Sequence, residues 1–312
     1  MKIGVQVLVY NVDRFLLPML DNCGPHVDRI YASWSAVPWS AYNRNARNDF
    51  RNKTSPELLR QSRYFKKVVL ITGEWVDEAS QRNDVLDRAR ADGMDFLIIQ
   101  DADEFYTHTD YAANVRFLAL NPDAEYFRGK WLMFWKTTGW VLELPDKTLA
   151  NNENFAVNCR RPVRFVSNRM VNVDYRHAPV VPGPCCHLSW VYSDQEVWEK
   201  ISTWGHAHLV NRGRWFETKW KGWRPGSRCL SPCRPTPTWW RAVRFTGELP
   251  EVLTDFPSPV CQPVRLAFAG RLNESCVDCG EILFYVARLI WGKVRAAARA
   301  ESNLAGTPQA IE

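Results

Sequence analysis

Apolar residues along this chain fall into short unbroken runs, separated by stretches in which they recur at helical spacing. Ile3 to Tyr10, Val27 to Ser33, Lys67 to Thr72 and Asp95 to Gln100 are almost entirely apolar over their central residues. Runs of this length, rich in Val and Ile, predict strands buried on both faces. Asn11-Val12-Asp13 breaks the first run, and Phe15, Leu16, Met19 and Leu20 then repeat on one helical face. A second helix is expected from about Asp77 or Ser80 to Ala91, closed by Gly93 as a left-handed cap. Strands alternating with helices predict an α/β fold, a Rossmann-like and mainly parallel sheet covered on both sides.

The pattern changes after Asn121. Ala124 to Trp135 and Val163 to Met170 read as strands of an antiparallel extension, separated by a polar loop around Asn151-Asn152-Glu153-Asn154. Trp34 to Pro56 is expected to be polar loop or lid. Asp194 to Ala207 predicts a helix with Val197, Ile201 and Trp204 on one face, and Glu281 to Arg299 another, apolar in front and basic behind. Between them, Trp215 to Pro263 offers few recognisable elements. The expected organisation is a domain over 1–210, with halves 1–121 and 122–210, an irregular and helical region over 211–300, and a disordered tail over 301–312. No internal repeat is evident.

Composition narrows the class. At 312 residues, 46% hydrophobic and 24% charged, with no apolar run of bilayer length, the chain reads as soluble and globular. Its amino terminus enters a strand at once and lacks a signal-peptide pattern, so a cytoplasmic location is expected, with the nine cysteines mostly reduced. The net charge of +6 is dispersed, which favours an anionic small molecule over nucleic acid. Fifteen tryptophans could supply platforms for sugar rings, although core packing accounts for most such residues. Cys229 and Cys233, with Cys276 and Cys279, have spacings seen in zinc sites, but loosely, and Cys185, Cys186 and Cys261 confuse the count.

The candidate chemistry lies where the fourth strand ends. Phe96-Leu97-Ile98-Ile99 runs into Asp101, Asp103 and Glu104, placing carboxylates at the tip of a buried strand. Ionised carboxylates near a core are costly unless a cation shares their charge. Ligands of parallel sheets bind beyond the carboxyl ends of the strands, where Tyr10, Asn11 and Thr72 would also gather. A divalent ion holding a phosphate suits that place.

The segment from Asp77 to Phe105, with Gln81-Arg82-Asn83 opening a helix and Asp101-Ala102-Asp103-Glu104 closing the next strand, resembles the nucleotide-sugar-binding half of GT-A-fold glycosyltransferases, especially the family 2-like group. The resemblance covers the donor half, 1–121. It implies that Asp101 and Asp103 bind Mn²⁺ or Mg²⁺ bridging the donor diphosphate, with Asp103 the direct ligand. Cys186-His187-Leu188-Ser189-Trp190, followed by Lys200 and His206, is similar to a second block of related transferases, including the β-1,4-N-acetylglucosaminyltransferase group. There a histidine completes the metal site or holds a phosphate, so His187 is the expected third ligand. An imidazole favours Mn²⁺ over Mg²⁺. Arg82 and Asn83 are expected donor contacts, Tyr10, Asn11 and Asp13 would meet the base and ribose, and Lys200 would neutralise phosphate charge. Glu104, Asp194 and Glu196 are the candidates for catalytic base, unranked, and inversion or retention stays open.

The implied activity is transfer of a sugar from a nucleotide-sugar donor to a glycan or lipid-linked acceptor. A membrane-surface role for the carboxyl-terminal helix would suit the latter, and packing against the domain or a partner is the alternative. Rival readings are a metal-dependent nucleotidyltransferase, which usually places a Gly-Ser phosphate loop ahead of its acids, and an inactive sugar-binding module.

Overall fold

Ile3–Val9 (β1), Arg29–Trp34 (β2), Val68–Thr72 (β3) and Phe96–Ile99 (β4) form the expected parallel array, in the order β3, β2, β1, β4. These elements come from a computed structural model, which describes residues 1–40, 51–174, 177–203, 210, 212–233, 239–257, 279–280, 282–283, 286–287 and 291. Ile3, Val5, Val7 and Val9 face one core layer, together with Phe15, Leu16, Met19 and Leu20 of helix α1 (Asp13–Cys23). Leu97 and Ile99 face the opposite layer with Val85, Leu86 and Ala89 of helix α2 (Glu78–Ala91). Strands buried on both sides, as β1, β2 and β4 are, need no polar alternation, which is why they read as continuous apolar runs.

The start of α2 is fixed by a reciprocal cap. Asp77 accepts from the Ser80 amide at 2.8 Å while the Ser80 hydroxyl lies 3.2 Å from the Asp77 amide. At its end Gly93 takes φ +72°, the left-handed conformation expected of it.

Beyond β4 the sheet turns mixed. Glu104–Phe105 (β5) is followed by helix α3 (His108–Leu120), which the sequence pattern did not predict, and then by Tyr126–Trp135 (β6), Thr137–Glu143 (β7) and Ala150–Asn158 (β8). β8 lies antiparallel between β4 and β6. The stretch Asn151–Asn154, expected as loop, is therefore strand. It extends past the end of β4 and pairs with β6 alone, so its side chains are not buried on both faces and carry no apolar pattern. The expected strand over Val163–Met170 is instead a small hairpin, Phe165–Ser167 (β9) and Met170–Val171 (β10), reversing through Asn168 at φ +45°. Cys185–Trp190 (β11) pairs parallel with β6 and antiparallel with β5.

Two compact units divide the chain. The first comprises Met1–Leu142, Thr148–Ser193 and the described part of Arg244–Val260. Its last segment covers α1: Phe256 stacks on Phe15 with ring centroids 5.2 Å apart, Arg14 sits 4.8 Å over Phe256, and Glu251 accepts from the His108 amide at the start of α3. The second includes Glu143–Lys147 and Asp194–Val243. There helix α4 (Asp194–Thr203) buries Val197 and Ile201 as expected, and Arg241 clasps Glu143 through two nitrogens at 2.7 and 3.2 Å. Trp204, His206 and the tail from 301 fall outside the described residues, as does most of the expected carboxyl-terminal helix. Its described residues 282–283, 286–287 and 291 are helical, as are 279–280 just before its expected start. No helix among the described residues is long and apolar enough to cross a membrane.

Candidate functional site

β4 delivers its chain to the site through a buried polar hinge. Gln100 donates to the Glu104 carbonyl at 2.7 Å and accepts from the Tyr111 hydroxyl at 2.9 Å, which fixes the turn Asp101–Asp103. The amide of Glu104 closes that turn on the Asp101 carbonyl at 3.1 Å, and β5 then pairs Glu104 with His187 of β11. The Asp103 carbonyl accepts from the Leu188 amide at 2.7 Å, so the acidic turn and the histidine strand are tied together by backbone.

The two aspartates of the Asp-x-Asp pair have different surroundings. Asp101 is held between two guanidinium groups, with Arg82 Nη2 at 3.0 Å and Arg169 Nη2 at 2.6 Å. Burial opposes its ionisation, but Arg169 and Arg82 outweigh burial and hold the carboxyl well below the usual range. Arg169 continues to Glu104, pairing with both of its oxygens, and its guanidinium lies 4.6 Å over the Trp131 ring. Arg82, fully buried, is backed by Glu78 at 2.7 Å. The result is an alternating chain, Glu78, Arg82, Asp101, Arg169, Glu104. Glu104 has no solvent exposure, and burial pushes its carboxyl up, with Arg169 pulling against that and Asp101 and Asp103 adding to it.

Asp103 instead faces His187, Oδ1 to Nε2 at 3.4 Å. The imidazole is buried and packs against Trp131, centroids 4.3 Å apart, while its Nδ1 has no hydrogen-bond partner among the described residues. An Nε2 aimed at a carboxylate is satisfied either by its own proton or by a cation between the two. Neighbouring donors on a hard cation, each about 2.1 Å from it, lie about 3 Å apart, so the spacing fits such an ion. Ligand atoms of Asp103, Glu104 and His187 lie within 4.8 Å of one another, a group that could hold a divalent metal. With Glu104 committed to Arg169, Asp103 and His187 are its natural first donors.

Of the other expected residues, Asn83, Asn11 and Asp194 make hydrogen bonds within the fold. Asn83 brackets Phe165 through both backbone groups, at 2.9 and 3.0 Å, and so anchors the hairpin that carries Arg169. Asn11, at φ +54°, ends β1 and exchanges hydrogen bonds with Asn52 and Lys53, whose neighbour Thr54 receives the Val12 amide. Tyr10 is half-buried, its hydroxyl without a hydrogen-bond partner among the described residues, and Asp13 is exposed at the start of α1. Asp194 and Lys200 belong to the second unit, where Asp194 accepts from the Trp220 indole at 2.8 Å. Cys229 and Cys233 carry free thiols, and Cys276 is outside the described residues.

Arg169, the cation that joins Asp101 to Glu104, was not foreseen from the sequence. Arg169 sits in a turn with no periodicity.

No family model matches the chain, and no curated protein matches it. Among solved structures the chain is similar to mannose-1-phosphate geranyltransferase from Thermus thermophilus, with 14% identity and a TM-score of 0.30 over 51% of this chain and 50% of that one. The chain thus spans about half the length of that protein, and a likeness this slight sets neither fold nor activity. What stands on the molecule itself is a mixed α/β sheet with an acidic, histidine-bearing cluster beyond its central strand.

Proposed function

We propose that the protein is a metal-dependent glycosyltransferase of the GT-A kind, taking a sugar from a nucleoside-diphosphate donor to a hydroxyl of a glycan or lipid-linked acceptor. The observation that carries this reading is the convergence of Asp103 and His187 beyond the buried tip of β4, beside an aspartate held ionised by two arginines. Asp103 and His187 would hold Mn²⁺ or Mg²⁺, and such an ion stabilises negative charge on a departing diphosphate. Asp101 keeps Arg82 and Arg169 in place as the rigid wall of the turn. Tyr10 and Asn11, at the end of β1, lie where this class of sheet receives a nucleoside. Glu104, sealed from solvent and clasped by Arg169, shapes the site and leaves the acceptor to another carboxylate.

Incubation with a panel of nucleotide sugars, with Mn²⁺ or with EDTA, tests the reading. Metal-dependent release of nucleoside diphosphate is expected, and Asp103→Asn and His187→Ala should each lower it by at least about 100-fold, since one lost inner ligand weakens both binding and charge stabilisation. Pyrophosphate release from a nucleoside triphosphate would point to nucleotidyl transfer instead. Glycan binding with no nucleotide affinity would point to a binding module.

A further inference from the structure

We infer that Glu153 is the general base that takes the proton from the acceptor hydroxyl. The inference rests on the transferase reading and begins from strand register. His187 opposes Glu104 across β11 and β5, and opposes Met133 across β11 and β6. Trp131 is two residues from Met133 on the same face, and on β8 its partner is Asn151, while Gly129 is opposed by Glu153. Residues in register share a face and alternate residues repeat it, so Glu104, His187, Met133, Trp131 and Glu153 project to one side across four strands. Glu153 is the diagonal neighbour of Trp131, a relation that sets backbones about 7–8 Å apart and within reach of long side chains. Trp131 is the ring on which both Arg169 and His187 rest.

The state of its carboxylate separates Glu153 from the other acids. Glu104 is sealed and doubly clasped by Arg169, Asp101 is shared by two arginines, and Asp194 accepts from an indole. Glu153 is partly exposed, and among the described residues its carboxylate has no hydrogen bond or ion pair, although its backbone is locked into β8. Burial raises its affinity for a proton, and its electrostatic interactions with Arg169, His187 and Arg128 pull against that. An unpaired carboxylate of enhanced basicity, fixed on a rigid strand on the same side of the sheet as His187, is what proton abstraction requires. In the step, the acceptor oxygen forms its bond to the anomeric carbon as its proton passes to Glu153, and the bond from that carbon to the diphosphate oxygen breaks with its electron pair leaving on the diphosphate. The sugar is inverted in a single displacement.

The test uses the full chain and whichever nucleotide sugar of the panel gives Mn²⁺-dependent diphosphate release, with water standing in for the acceptor. Glu153→Gln should cut kcat by at least about 100-fold, leave Mn²⁺ affinity within about two-fold by titration, and abolish the acid limb of the kcat/KM profile, while Glu153→Asp recovers part of the rate. Far-ultraviolet circular dichroism and melting confirm that the variants are folded. A Glu153→Gln enzyme with near wild-type kcat, or one that has lost Mn²⁺ affinity, overturns the assignment while the transferase reading stands. Absence of turnover in the wild-type protein with every donor overturns both.

Discussion

Replacing Arg169 by methionine would leave Glu104 buried with no cation against either oxygen and would free one side of Asp101. Breaking one partner of a buried ion pair costs about 3–5 kcal/mol, so urea denaturation should show a loss of that order, larger than from any exposed arginine such as Arg60. Acid should reveal Asp101 in another way. Its folded carboxyl titrates below the unfolded value near 3.9, so its contribution is complete above about pH 4 and is lost as pH falls further. Asp101→Asn should accordingly flatten the stability curve below about pH 4 and lower it above. His26 acts in a higher window. Stacked on Tyr111 and 4.5 Å from His108, it is pushed down to about 4 by burial and then by His108, so the folded state resists its protonation. Stability should decline as pH drops from about 6.5 toward 4, and His26→Phe should remove that slope in melting curves recorded across the window. At this scale the placement of Asp101 and Asp103 was legible because acid at the tip of an apolar strand is anomalous in any sequence, whereas His187 was singled out only by the resemblance of its segment to a transferase block. Arg169 and Glu153 were not, because an arginine in a turn and a glutamate among asparagines break no pattern.

β1, β2 and β4, buried on both faces, announced themselves through unbroken apolar runs, and so did the edge strand β3 although its Leu70 is exposed. β1 to β4, α1 and α2 matched the expected positions to within a residue or two, their apolar runs and caps agreeing with one another. α3 escaped notice because Tyr111, Asn114 and Leu118 are its only buried positions, one of them polar and bonded to the backbone of Gly183. β8 escaped because its first half leaves the core. The same reasoning says where an element can be loosened. Asp77→Ala removes the cap of α2 and should cost about 1 kcal/mol in chemical denaturation. Asn83→Ala acts further away: with the Phe165 backbone released, the hairpin holding Arg169 loses its anchor, and diphosphate release should fall although no residue touching the cluster has changed.

For the molecule as a whole, the chain leaves its first unit at Ser193 and rejoins it at Arg244. Residues 244–257 supply Leu253, 1% exposed, and Phe256 to the α1 layer. Leu253→Ala should therefore destabilise the first unit by about 2–5 kcal/mol, read as a lowered melting temperature, despite lying far in sequence from every strand of the parallel sheet. Nothing in the amino-acid pattern revealed this return, since a short segment that packs by a few aromatic and aliphatic residues has no period to detect. The order of synthesis then matters. As the ribosome emits the first 193 residues, all the strands of the parallel array are available, yet Phe15 stays without its stacking partner until Phe256, 63 residues beyond Ser193, has been made. Nascent chains stalled before and after Phe256 should differ in protease resistance, and a chaperone that shields apolar helix faces would find its target in that interval.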